Sequence, residues 1–157
     1  MKADDLLIPD ERWTIWNCHS FQEYLDRFFI PGKFHTGVPQ KVKEAYLSVE
    51  RLLGYSYYFY PLTEEVHSKM TRIFEMAVRE KASIHGIEFK KENPSLKEHC
   101  DAFEKHEVCN KNLLNEIRDI VNLRNIYAHP RNHNYSGPIA LISIIRILNF
   151  PKLFSAI

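Results

Sequence analysis

The chain has 157 residues, 45% of them hydrophobic, and its 21 basic and 20 acidic residues leave a formal net charge of +1. This length and apolar content suit one globular unit with a real core. The near-neutral balance excludes an overall basic field that would attract nucleic acid non-specifically, so any RNA contact must be local.

Cysteine usage and the N-terminus indicate where the protein works. The three cysteines, Cys18, Cys100 and Cys109, show no paired spacing, which favours a reducing compartment over a disulfide scaffold. The first residues lack the basic start and apolar run of a signal peptide, and the sequence has no apolar stretch of about 18 residues. We therefore expect a soluble, cytoplasmic protein that does not enter a membrane.

Apolar residues recur mostly at helical spacing, and few segments alternate as a strand would. The N-terminal segment, residues 1–38, is the least regular and is rich in aromatic residues. A short helix is expected near residues 20–29, ended by the Pro31-Gly32 pair. Its aromatic side chains should pack on the main body.

Two long helices are predicted next. The first runs from Pro39 to just before Pro61, because its apolar residues fall close to one face. The second starts with Thr63 as its N-cap and ends at His85, just ahead of Gly86.

The C-terminal half continues the helical pattern. A capping box that starts at Ser95 predicts a shorter helix over 96–106. An almost wholly apolar helix is expected after Pro138, either buried nearly all round or in a subunit interface, and we favour the interface. The predicted fold is all-α, a compact bundle of about four to five main helices over 39–157, with residues 1–38 as an irregular extension packed on it.

Between these helices lies the segment best suited to chemistry, residues 123–130, which read Leu-Arg-Asn-Ile-Tyr-Ala-His-Pro. Asn110 or Asn112 should cap the helix that carries them. Stepping about 100° per residue places Arg124 on the middle of that helix's apolar arc. A guanidinium there must be paired, or must face a cavity or a second subunit, because an unpaired buried charge is costly.

One pattern in this segment resembles the HEPN superfamily. It consists of Arg124, four further residues and then His129, with the polar Asn125 directly after the arginine, at the end of a long helix. The resemblance covers roughly residues 39–150. It implies a metal-independent endoribonuclease without a cofactor, whose composite site forms where two copies of the motif face each other across a homodimer. Arg124 and His129 hold the two catalytic positions of the family, and Asn125 holds the adjacent polar one.

The same resemblance implies a set of partners. Many relatives are toxins of toxin–antitoxin pairs, phage-defence proteins or RNA-processing factors, so RNA, a second copy of the chain, and an antitoxin or neighbouring-system protein are expected. Other relatives have lost catalysis and serve as interaction modules. A non-catalytic scaffold or nucleic-acid-binding module is therefore the alternative function.

Residue chemistry agrees with the catalytic roles. Metal-free RNA cleavage needs a base, an acid and a cation beside the phosphate. Histidine, with an ordinary pKa of about 6.5, suits either proton role, and the arginine fork binds phosphate oxygens in pairs. Because Arg124 and His129 lie about 140° apart on an ideal helix, the two side chains of one motif point in different directions. Two motifs related by a twofold axis would surround the phosphate.

Three further residues are candidates for substrate binding: Tyr127, Arg131 and His133. Tyr127 has a phenol that can bond to RNA, although an aromatic residue there more often packs. Arg131 and His133 offer a second cation or acid, although a solvated turn explains them as well.

The two motif residues also have plain structural explanations. Arg124 would then form an internal ion pair with an acidic residue such as Glu75, and His129 would be stabilised by the helix dipole. Helical phase also allows Glu75 and Arg72 to line the same cleft as the motif.

Two other sets of residues contain types that occur in binding sites. His99, Cys100, His106 and Cys109 include zinc-binding types, but their spacing matches no paired arrangement, so no metal is expected. The aromatic run 55–60 resembles a base-stacking surface, but core packing is the commoner use of such a cluster.

Overall fold

A computed structural model describes residues 6–34 and 36–128 of the chain. A 3-10 helix and five α-helices occupy this part: the 3-10 helix Glu11–Trp16, α1 Phe21–Phe28, α2 Gln40–Ser56, α3 Leu62–Ile84, α4 Leu96–Lys105 and α5 Lys111–Ala128. The described ranges contain no β-strand, which confirms the all-α prediction. The helix expected after Pro138 lies outside the described residues.

The main core is one cluster built from α2, α3, α4 and α5, in which α2 packs on α3 and α4 packs on both α3 and α5. Its fully buried members include Val42, Val49, Leu53, Val66, Met70, Val78 and Phe103. An ion pair also ties α5 to α4, since Arg118 Nη2 lies 2.8 Å from Glu104 Oε2. α4 thus joins α5 to α3 within one core.

Three of the five α-helices start with a side-chain cap, whereas α2 and α3 start after Pro39 and Pro61 without one. Ser95 and Glu98 form the predicted capping box of α4, and Asn110, rather than Asn112, caps α5 by accepting from the backbone N–H of Leu113 at 2.9 Å. Thr63 was wrongly predicted as the N-cap of α3. It lies inside the first turn and is 3% exposed, because α3 already begins at Leu62.

Gly86 lies just past the C-terminus of α3 with a φ of +63°. This left-handed conformation is the one that glycine adopts most readily after a helix. It matches the predicted end of the second long helix.

The end of α2 differs from its prediction. The helix ends at Ser56 rather than just before Pro61. In a longer helix, the carbonyl of Ser56 would accept from the N–H of Tyr60. Instead, the indole N–H of Trp13 donates to the Ser56 carbonyl at 2.9 Å, and the N–H of Tyr60 donates to Asp10 Oδ2 at 2.9 Å. The N-terminal segment therefore replaces the hydrogen bonds that would have extended α2.

A second, aromatic core forms where the N-terminal segment meets this end of α2. Trp13 is 1% exposed, and its ring centroid lies 4.7 Å from that of Tyr24 and 4.9 Å from that of Tyr60. The Tyr24 hydroxyl donates to the Leu53 carbonyl at 2.6 Å, and burial raises the pKa of Tyr24 to about 12. The cluster comprises Trp13, Cys18, Tyr24, Phe28, Tyr57 and Tyr60.

Asp10 links this segment to the turn between α2 and α3. Its carboxylate accepts from the backbone N–H and the side chain of Arg12 as well as from Tyr60. Burial opposes its ionisation, but the hydrogen bonds from Arg12 and Tyr60 outweigh burial and lower the pKa of Asp10 below its ordinary value of 3.8.

We expect Asp10→Asn to destabilise the protein by about 1–3 kcal/mol at pH 7, because it weakens charge-assisted hydrogen bonds. A carboxyl whose folded pKa is lowered stabilises the fold above its unfolded pKa and loses that contribution as pH falls through the folded pKa. The difference from wild type in urea unfolding should therefore shrink as pH falls from 5 towards 3. Asp119→Asn, an exposed carboxylate on α5, is the control. An Asp10→Asn difference that stays constant with pH would contradict the assignment.

All three cysteines are free thiols, Cys18 and Cys100 buried and Cys109 half-buried. Across the described ranges, none of the helices combines the length and apolar character needed to cross a membrane.

Candidate functional site

The first part of the motif, Arg124 and Asn125, lies on the last turns of α5. Arg124 and Asn125 are described with their side chains, and Tyr127 lies within the helix. The predicted site residues His129, Arg131 and His133 lie outside the described residues. The observed part of the candidate site is therefore the pair Arg124 and Asn125 with the groups that surround them.

Helical phase correctly predicted the burial of the residues before Arg124, but it wrongly placed Arg124 in the buried arc. Ile117 and Ile120 are each 2% exposed, as expected for the apolar arc of α5. The Arg124 side chain, however, is 42% exposed. A long arginine stem can lie on apolar surface while its charged end reaches outwards, and this end meets a carboxylate on α3 rather than the core.

That carboxylate belongs to Glu75. Arg124 Nε lies 2.8 Å from Glu75 Oε1, and the Glu75 side chain is 24% exposed. The predicted alternative, an internal ion pair with Glu75, is thus present. A pair this exposed is worth only about 0–1 kcal/mol, so its main effect is on the position of the guanidinium rather than on stability.

Asn125 holds the same guanidinium from its own helix. Arg124 Nη1 donates to Asn125 Oδ1 at 3.1 Å. Because the amide oxygen accepts this bond, the amide NH₂ of Asn125 is left as a donor on an exposed residue. The cluster of Glu75, Arg124 and Asn125 therefore presents a fixed cation and an adjacent amide donor, a combination that suits an anionic ligand.

Two more arginines flank Glu75 on α3. Arg72 precedes it by three residues and Arg79 follows it by four, so all three lie along one side of the helix, and both arginines are exposed. Sequence reasoning placed Arg72 near the cleft but missed Arg79. The signal was available in the spacing of the two arginines around one glutamate.

His99, one of the zinc-binding residue types in the sequence, has a structural role. His99 is 2% exposed, its Nδ1 lies 2.8 Å from the Ser95 carbonyl oxygen, and its ring packs 4.4 Å from that of Phe89. Among residues 6–34 and 36–128, no three histidine, cysteine, aspartate or glutamate side chains group as metal ligands would.

The aromatic run divides between core and surface. Tyr57 and Tyr60 are buried in the aromatic core, whereas Tyr55 and Phe59 are 60% and 56% exposed. Packing therefore explains the inward half of the run.

Fold and site together define an all-α bundle with a surface cluster of arginine, glutamate and asparagine between α3 and α5. No family model matches the sequence, and no match was found among curated proteins or solved structures. The resemblance to the HEPN superfamily therefore stays a prediction from the sequence.

Proposed function

We propose that this protein is a metal-independent endoribonuclease in which Arg124, Asn125 and His129 act on the phosphodiester. The observation that carries the proposal is the Arg124 guanidinium, fixed by Glu75 and Asn125 yet 42% exposed. A cation held in place before the substrate arrives needs no reorganisation when charge develops on phosphorus.

Each group has a defined part in the reaction. The 2′-oxygen attacks phosphorus as a base removes its proton, and the bond to the 5′-oxygen breaks as an acid protonates that oxygen. Two copies of His129, one from each chain of a homodimer, serve as base and acid. Arg124 binds the phosphate oxygens, and the Asn125 amide donates to one of them. The products are a 2′,3′-cyclic phosphate and a 5′-hydroxyl.

The proposed setting is the cytoplasm, in a toxin–antitoxin pair, a phage-defence system or RNA processing, with an antitoxin or neighbouring-system protein as a further partner. RNA incubated with the protein in excess chelator should be cut, and its ends should carry the cyclic phosphate. The specific activity should also fall on dilution, at the concentration where sedimentation shows the dimer dissociating. Ends that lack the cyclic phosphate would refute the mechanism, and full activity of a monomer would refute the composite site.

Glu75 has a positioning role in this proposal. We expect Glu75→Gln to lower kcat on the order of tenfold, because the Arg124 guanidinium loses its charged partner on α3 and its orientation changes. Glu75→Asp, which keeps the charge, should recover part of the lost kcat. The unfolding midpoint in urea should barely change, since the pair is partly exposed. Glu80→Gln is a matched control, because Glu80 lies on the same helix, pairs with Lys41 and has the same 24% exposure. Equal activity of the Glu75 and Glu80 variants would contradict the role.

A non-catalytic interaction module is the second candidate function. The observation that favours it is the same ion pair, since Glu75 already balances the charge of Arg124 without a substrate. A pure preparation that cuts no RNA and does not impair growth on expression would favour this module over the nuclease.

A further inference from the structure

The outer side of α3 beside the candidate site carries an arginine on each side of Glu75. Arg72, Glu75 and Arg79 fall within about 60° of one another around the helix axis. Along the axis, Arg72 lies about 4.5 Å before Glu75, and Arg79 lies about 6 Å beyond it. Both arginines are exposed.

On an isolated helix, a glutamate so placed would pair with one of these arginines. Here its carboxylate is instead taken by Arg124 of α5, 2.8 Å away. In the part of the chain that the structure describes, neither Arg72 nor Arg79 makes an ion pair. Helical spacing thus puts two further arginines on either side of a glutamate that already pairs with Arg124, which leaves a local excess of positive charge.

This excess stands out because the whole chain is close to neutral, at +1. Two other cations of the bundle are balanced by carboxylates, Lys41 by Glu80 and Arg118 by Glu104. A near-neutral protein binds a polyanion only where its charge is locally concentrated. The outer side of α3 that carries Arg72 and Arg79 is such a place, and it adjoins Arg124.

We propose that Arg72 and Arg79 form a binding surface for the backbone of single-stranded RNA, one arginine on each side of the phosphate that Arg124 contacts. This inference rests on the proposed function and extends it to the nucleotides that flank the cleavage point. Guanidinium groups bind phosphate oxygens in pairs, and their position along α3 matches a chain of phosphates better than a single anion. In this proposal the surface contacts the phosphates and not the bases, so it contributes affinity without sequence preference.

The test measures binding and cleavage separately in the full chain. Binding of a fluorescent single-stranded oligonucleotide of uridine is followed by anisotropy across salt concentrations, in a His129→Ala background that prevents cleavage. Adding Arg72→Ala and Arg79→Ala should weaken binding on the order of tenfold and reduce the slope of log affinity against log salt by about 0.7 for each lost contact. Changing both to lysine should restore most of the slope.

Arg51→Ala is the matched control, because Arg51 is an exposed arginine on α2 that we place outside the surface. In cleavage assays with His129 intact, the Arg72→Ala/Arg79→Ala chain should show a raised KM with little change in kcat. Affinity and salt slope equal to those of Arg51→Ala would overturn the inference, as would displacement of the RNA by polyglutamate at equal charge concentration.

The two proposals fail in different ways. A wild-type chain that cuts RNA with no contribution from Arg72 and Arg79 leaves the nuclease standing and removes the surface. A chain that binds RNA through these arginines but never cuts it supports the surface and removes the nuclease.

Discussion

Arg124→Ala should reduce RNA cleavage by about 10²–10³-fold in kcat, the usual loss when a preorganised donor to developing charge is removed. The other two groups of the cluster cannot replace it, because Asn125 is neutral and Glu75 is an anion. Arg124→Lys should restore only a small part of the activity, since an ammonium lacks the planar fork. Single-turnover cleavage at saturating RNA measures the effect on the chemical step.

Stability measurements separate this loss from unfolding. The Arg124–Glu75 pair is partly exposed, so Arg124→Ala should change the free energy of unfolding by no more than about 1 kcal/mol. Arg51→Ala should leave both activity and stability near wild type. Wild-type kcat in the Arg124→Ala chain would rule out the proposed role of this residue.

The largest effect on stability is expected at Trp13. Trp13→Ala should destabilise the protein by about 3–5 kcal/mol, the range for removing a fully buried large aromatic side chain. The substitution opens a cavity among Tyr24, Phe28 and Tyr60 and also leaves the Ser56 carbonyl without its indole donor. Urea unfolding followed by circular dichroism measures the change.

Ile15→Ala is the control, since Ile15 lies on the same 3-10 helix and is 79% exposed. Its substitution should stay within about 0.5 kcal/mol of wild type. Trp13→Phe keeps part of the ring volume but lacks the N–H, so it should fall between wild type and alanine. Equal stability of the Trp13→Ala and Ile15→Ala chains would show that the aromatic core does not stabilise the bundle.

Local signals predicted most of the helices. The capping box at Ser95 and the glycine at position 86 mark helix ends through hydrogen bonds and backbone preferences that act over a few residues. Such signals depend little on the rest of the fold. The end of α2 depends instead on Trp13 and Asp10, which are distant in sequence, so periodicity extended the helix too far.

The candidate site was predictable to a similar extent. The position of Arg124 and Asn125 on α5 and the pairing of Arg124 with Glu75 follow from residue type and phase. The exposure of Arg124 does not, because phase alone does not say whether a long side chain reaches the core or the flank of the next helix. Arg79 was missed because its availability depends on which arginine Glu75 pairs with, and only the packing of α5 beside α3 decides that.

The hydrogen bonds at the end of α2 have a consequence for how the chain can be divided. The Ser56 and Leu53 carbonyls are bonded by side chains 43 and 29 residues earlier in the sequence. A fragment that starts at residue 39 would carry α2 to α5 but would expose those carbonyls together with the aromatic faces of Tyr57 and Tyr60. A minimal fragment for expression should therefore begin ahead of Asp10.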